Sequence, residues 1–166
     1  NISGIPSGFT ALDKITSGWQ KSDLVIIAAR PAMGKTAFVL SMAKNMAVDF
    51  KVPVAIFSLE MSNVQLVNRL IMNVCEIEGS KIRNGRLTQS EWNRLESQIN
   101  VLREAPIYVD DTPGLSVYEL QSKARKLVKE HGIQIIIIDY LQLMNANGSS
   151  FGSREQEVSI ISRNLK

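Results

Sequence analysis

A glycine, a lysine and a threonine close the segment Ala29-Arg30-Pro31-Ala32-Met33-Gly34-Lys35-Thr36, directly after the apolar run Leu24 to Ala28. A nucleoside triphosphate asks three things of a protein. These are backbone N–H groups aimed at the phosphates, a cation near the outer phosphates, and a hydroxyl that helps to hold Mg²⁺. Here Gly34 allows close backbone approach, Lys35 brings the charge, and Thr36 brings the hydroxyl at the first turn of a helix whose dipole favours an anion. The pattern G-x-x-x-x-G-K-[ST] is met except at its first position, where Ala29 stands for glycine. Ala29 does not enter φ > 0 cheaply, and Pro31 biases Arg30 toward an extended shape that can start the turn instead. The bland reading of the same residues is a tight turn ahead of an ordinary helix.

Two acids complete the chemistry such a loop would need. Ile135-Ile136-Ile137-Ile138-Asp139 sets a carboxylate at the end of a β-branched strand, where the ligand crevice of an open α/β sheet lies and where Mg²⁺ is supported beside Thr36. A strand-ending Asp in a turn is the alternative. Ala55-Ile56-Phe57-Ser58-Leu59-Glu60-Met61 sets Glu60 just past a second strand, on the same edge, where a carboxylate can align or deprotonate an attacking water. Glu60 could equally be an acid that favours the start of the helix opened by Ser62.

The elements that must position these groups alternate in the manner of a parallel sheet covered by helices. Strands are expected at Leu24 to Ala29, Val54 to Ser58, Ile107 to Val109 and Ile133 to Asp139, the last central and buried on both faces. A helix is expected over Lys35 to Asp49, and capping boxes at Ser62…Gln65, Thr88…Glu91 and Ser116…Glu119 announce three more. A fourth box, Ser153…Gln156, predicts a helix running to Lys166. The Gly, Ser and Asn residues from Asn145 to Ser153 predict a mobile loop before it. With 166 residues, one domain covering 1–166 is expected. A sheet of this type usually continues beyond the strand bearing Asp139, so later strands are expected past Lys166.

Composition narrows the class. No apolar run approaches the roughly 20 residues that span a bilayer, and Asn1-Ile2-Ser3-Gly4 lacks a signal pattern, so a cytoplasmic location is expected. Cys75 is the single cysteine and reads as a buried thiol; His131, beside Gly132 at a helix end, reads as capping or solvent-facing. The net charge of +3 is compatible with nucleic acid without demanding it. Trp19 and Trp92 read as packing residues, and Lys123, Arg125, Lys126 and Lys129 as a solvated face or a surface facing another chain.

The strings Ile5-Pro6-Ser7-Gly8-Phe9-Thr10-Ala11-Leu12-Asp13, Ala28 to Phe38, Phe57-Ser58-Leu59-Glu60-Met61 and Ile138-Asp139-Tyr140-Leu141-Gln142-Leu143-Met144 resemble the RecA-like motor domain of bacterial replicative DNA helicases, the DnaB family. Asp110-Asp111-Thr112-Pro113-Gly114 also matches its style. In that family the first loop position is commonly Ala, so Ala29 fits. The resemblance implies an α/β, RecA-like P-loop NTPase core that hydrolyses ATP with Mg²⁺, Lys35 and Thr36 binding phosphates and metal. It implies Glu60 as the catalytic carboxylate and Asp139 as the acid supporting Mg²⁺. It further implies a homohexamer acting on single-stranded DNA, with a primase and a helicase loader as partners. DNA contact falls to Gly152 and Arg154, in a loop that faces the channel in such helicases. The arginine finger and γ-phosphate sensor are expected outside the chain, which leaves this stretch alone with weak turnover. A recombination ATPase on the same core and a non-hydrolysing, ATP-controlled assembly module are the rival readings.

Overall fold

Five strands and six helices make up the described structure, a computed structural model that describes residues 2–29, 34–75, 77, 79–139 and 156–162. The strands are β1 (Leu24–Ala29), β2 (Val54–Ser58), β3 (Ile107–Asp110), β4 (Ile135–Asp139) and β5 (Gln156–Ser162). The helices are α1 (Thr10–Thr16), α2 (Lys35–Lys44), which ends in a π-helical turn at Asn45–Asp49, α3 (Asn63–Cys75), α4 (Gly79–Asn84), α5 (Gln89–Glu104) and α6 (Val117–His131).

The sheet order is β1-β5-β4-β2-β3. β2 runs parallel to both β3 and β4, while β5 is antiparallel to β4 and to β1, so the first four strands share one direction. Their carboxyl ends therefore gather on one edge, the edge on which an α/β sheet presents its ligands.

Alternation of side chains splits β4 between two cores. Ile135 and Ile137 join Val54, Ile56, Leu66 and the α2 residues Leu40 and Met42 on one face. Ile136 and Ile138 join Ala55, Phe57, Leu115 and Leu120 on the other. Every residue of β2 and β4 is buried, as expected of parallel strands with helices on both faces. A smaller cluster of Cys75, Ile77 and Leu95 ties α3 to α5. Burial raises the Cys75 thiol above its ordinary pKa, with Arg94 opposing, so it behaves as the expected small hydrophobe.

The helix starts follow the local code. Ser62 Oγ accepts from Gln65 N while Ser62 N donates to Gln65 Oε1, and Thr88 and Glu91 exchange the same pair of bonds. Ser116 Oγ accepts from Glu119 N, and α6 ends on Gly132 at φ 65°. His131 is exposed and stacks on Tyr108 with ring centroids 4.3 Å apart. Trp19 is buried as expected, whereas Trp92 is 44% exposed.

One expectation fails, and two short elements were not foreseen. The short helices α1 and α4 carry no strong start signal and add to the elements read from the sequence. The helix expected from Ser153 is replaced over Gln156–Ser162 by β5, which hydrogen-bonds along both neighbours, Ala29 opposite Gln156 and Asp139 opposite Val158. The capping box is a local signal. The backbone edges of β1 and β4 offer a longer-range one, and Val158, Ile160 and Ile161 are residue types that favour a pleated strand.

Residues before β1 form a clasp on α2. Gly4 N donates to Ser17 O and Ile5 bridges Trp19. Buried Asp13 accepts from Ser7 N at 2.8 Å, Ser7 Oγ at 2.6 Å and Gly8 N at 3.2 Å. Asn45 Nδ2 donates to Ser7 O, and Phe9 stacks on Phe38 with centroids 4.9 Å apart.

Candidate nucleotide site

Gly34 opens α2 in the left-handed region at φ 77°, and its carbonyl accepts from Phe38 N at 2.9 Å. This conformation suits glycine, and a Cβ there would meet nothing within 4 Å, so conformation alone demands the residue. Lys35 follows at the first helical position and is buried, 5% exposed, with Thr36 half-buried beside it. Arg30, Pro31, Ala32 and Met33 lie outside the described residues, as do Gly152 and Arg154; of Ala29, the backbone ends β1.

Asp139 ends β4 in register with Ser58, the last residue of β2. Its carboxylate is 3.7 Å from the Lys35 ammonium. Burial pushes the Asp139 carboxyl above its ordinary range; Lys35 pulls it back, the negative charge of Glu60 adds to the rise, and Arg69 on α3 opposes it. Glu60 is exposed, two residues beyond β2, and its effect on Asp139 places it within electrostatic reach of the pair. Leu59 N donates to Asp139 O at 2.8 Å, joining the loop that bears Glu60 to the end of β4. Ser58 Oγ donates to Met61 O at 2.8 Å across the same loop.

Lys35, Thr36, Asp139 and Glu60, separated by up to 104 residues, thus meet at one sheet edge. A buried carboxylate held above its normal pKa beside one ammonium has room for a further cation, and hydroxyl and carboxylate oxygens are the hard donors that Mg²⁺ takes. Among the described residues no group of three or more His, Cys, Asp or Glu forms a metal cage.

Sequence reasoning missed several participants. Arg69 carries no motif. Asp111 accepts from Asn63 N at 2.8 Å, and Asp110 accepts from Lys123 Nζ at 2.9 Å, so Lys123 is no plain member of a solvated face. Only the run of two acids, Thr, Pro and Gly after a strand hinted at them.

A model of the DnaB-like helicase C terminal domain matches residues 4–166. The chain belongs to this family. Similar curated relatives of this DnaB-like domain include the replicative DNA helicase DnaB of Nostoc sp., 51% identical over 99% of this chain and 19% of its own length. DnaB of Geobacillus stearothermophilus is 50% identical over 99% of this chain and 36% of its own length. The replicative DNA helicase DnaC of Bacillus subtilis is 49% identical over all of this chain and 37% of its own length. The DnaB-like chain thus spans well under half of these relatives. Among solved structures, one described as an ATPase domain superposes with a TM-score of 0.84 at 39% identity, covering 93% of this chain and 55% of that one. A DnaB-like replicative helicase described with its interactions with primase gives the same TM-score and identity over 93% of this chain and 37% of that one. The α/β fold read from the sequence is therefore the fold of helicase ATPase domains. Among the described residues no helix is long and apolar enough to cross a membrane.

Proposed function

We propose that residues 1–166 are a RecA-like ATPase domain that couples ATP hydrolysis to movement on single-stranded DNA and duplex unwinding in a replicative helicase. The observation that carries the proposal is the buried Lys35–Asp139 pair at 3.7 Å with Glu60 on the same edge, in a chain whose relatives are named replicative DNA helicases. The ammonium of Lys35 lies 3.7 Å from the Asp139 carboxylate. When nucleotide binds, Lys35 turns its charge to the phosphates and the N–H groups opening α2 receive their oxygens. Thr36 and Asp139 would hold Mg²⁺, which supplies neutralisation of charge on the phosphate oxygens when bound. Glu60, exposed and next to the buried pair, orients the attacking water and accepts its proton. Gly152 and Arg154 contact the DNA backbone, because translocation without sequence preference needs phosphate contacts. A homohexamer, a primase and a loader complete the assembly, in the cytoplasm.

The test uses the full-length helicase. Lys35→Ala should abolish nucleotide binding. Glu60→Gln should keep binding and lower turnover by about 10²-fold or more, the range of a positioned acid or base. Normal turnover by Glu60→Gln would refute the assignment of the water-orienting group, and strand separation on forked DNA separates a helicase from a filament-forming ATPase.

A further inference from the structure

The loop that bears Glu60 is tied at both ends, and only one of the ties belongs to the nucleotide site. Its near end is fixed by Leu59 N on Asp139 O. Its far end enters α3, whose start already has a complete local cap in the Ser62–Gln65 box. A second acceptor nevertheless arrives from 48 residues away: Asp111 Oδ2 takes the N–H of Asn63, the first residue of α3, at 2.8 Å. The capping box of α5 is reinforced differently, by Lys81 Nζ at 3.5 Å from the Glu91 carboxylate.

Asp111 is itself held in place. On one side Asp110 accepts from Lys123 Nζ and from Thr112 N, both at 2.9 Å, and on the other Thr112 Oγ1 accepts from the same ammonium at 2.9 Å. The result is a connected brace from α6 through the end of β3 to the start of α3, three residues from Glu60.

We propose that Asp111 is a positioning residue for Glu60, holding the far end of the Leu59–Ser62 loop so that the carboxylate faces the water it orients. The inference rests on the proposed role of Glu60. A misplacement of 1 Å at a reacting group costs up to about 10²-fold in rate, and loss of one of the several ties on this loop should cost part of that, about tenfold.

The experiment measures steady-state ATP hydrolysis and nucleotide affinity in the full-length helicase. Asp111→Ala should lower kcat about tenfold with KM and nucleotide affinity unchanged, and Asp111→Asn, which keeps an accepting oxygen, should restore most of the rate. Asn63→Pro removes the donor instead, at a first-turn position where proline is tolerated; it should reproduce the loss, and adding Asp111→Ala to it should lower kcat no further. Thr88→Ala, which removes a cap of the same kind on α5, should leave kcat unaltered. An Asp111→Ala enzyme with unaltered kcat, a loss equally large in Thr88→Ala, or a loss confined to KM would overturn the inference. Glu60→Gln run alongside separates the two failures: if it turns over normally, the reading of Glu60 has failed, and if it is inactive while Asp111→Ala is normal, only the positioning role has.

Discussion

Replacing Lys35 with methionine should destabilise the protein in a way that depends on pH, because what it leaves behind is a buried aspartate. At 3.7 Å, with an effective dielectric constant of about 20, the attraction between the two charges is about 4.5 kcal/mol. Removing one partner of a buried pair costs about 3–5 kcal/mol, whereas removing both is often nearly neutral. Protonation of the survivor limits the loss. Burial already holds the Asp139 carboxyl above its ordinary pKa, so its contribution to stability is fully present below the unfolded value of about 3.9 and is lost as pH rises through the folded value. Taking away Lys35 raises the folded value further and widens that window upward. Lys35→Met should therefore cost about 3 kcal/mol at pH 8, where the stranded carboxylate is charged, and less at pH 5. Urea unfolding of wild type, Lys35→Met, Asp139→Asn and the double variant at both pH values measures the differences. In the double variant, neither charge remains to be left unpaired, so its cost should fall well short of the sum of the singles. A Lys35→Met penalty identical at pH 5 and pH 8, or strict additivity in the double variant, would refute the account of a coupled buried pair.

Ile137 is fully buried in the central strand, and Ile137→Ala should cost about 2–5 kcal/mol in the same urea assay, through lost burial and the cavity left behind. Two glycines of similar φ should respond differently to alanine. At Gly34 the added methyl meets open space and only conformational strain of about 1–2 kcal/mol is expected, whereas at Gly8 a Cβ would also lie 2.4 Å from Asn45 Cβ, so Gly8→Ala should lower the thermal midpoint more. For Asp110, burial pushes the carboxyl up but the bonds from Lys123 and Thr112 outweigh it and hold it low, so its stabilisation is present above the unfolded pKa and is lost as pH falls through the folded one. Lys123→Ala should then cost less than about 1 kcal/mol at pH 7, the ammonium side chain being 39% exposed, and the difference from wild type should shrink as pH falls below the ordinary carboxylate range.

Much of this architecture was legible because its signals are local or periodic. The runs Leu24–Ala29 and Val54–Ser58 became strands with the expected limits, and the isoleucines before Asp139 became the doubly buried strand that their β-branched types imply. Lys35 and Asp139 could be brought together from sequence because parallel strands deliver their carboxyl ends to one edge. What escaped was set by partners distant in the chain. Nothing near Ser153 announces that β1 and β4 will take up the following residues as a strand between them. Nothing in the sequence around Asp111 names Asn63 as its donor, since a carboxylate after a strand has many possible partners until the topology brings β3 beside β2. Lys123 looked like one of several surface lysines for the same reason. The loop at residues 30–33 and the residues Gly152 and Arg154 fall outside the described structure, and their roles rest on the resemblance and the proposal built on it.

The clasp formed by the first twenty residues grips α2 at both extremities, through Phe9 on Phe38 in the opening turn and Ser7 on Asn45 in the closing one. A force applied at the amino end is thus delivered to the helix that begins with Lys35 before it reaches any strand. The Ile5–Trp19 bridge and the Ser7–Asp13 bonds stand between that end and α2, and none of them belongs to the β2–β4 ladder. Tension from that side would therefore bear on the two ends of α2 through these contacts, so the segment before β1 sets where the helix that carries Lys35 is held.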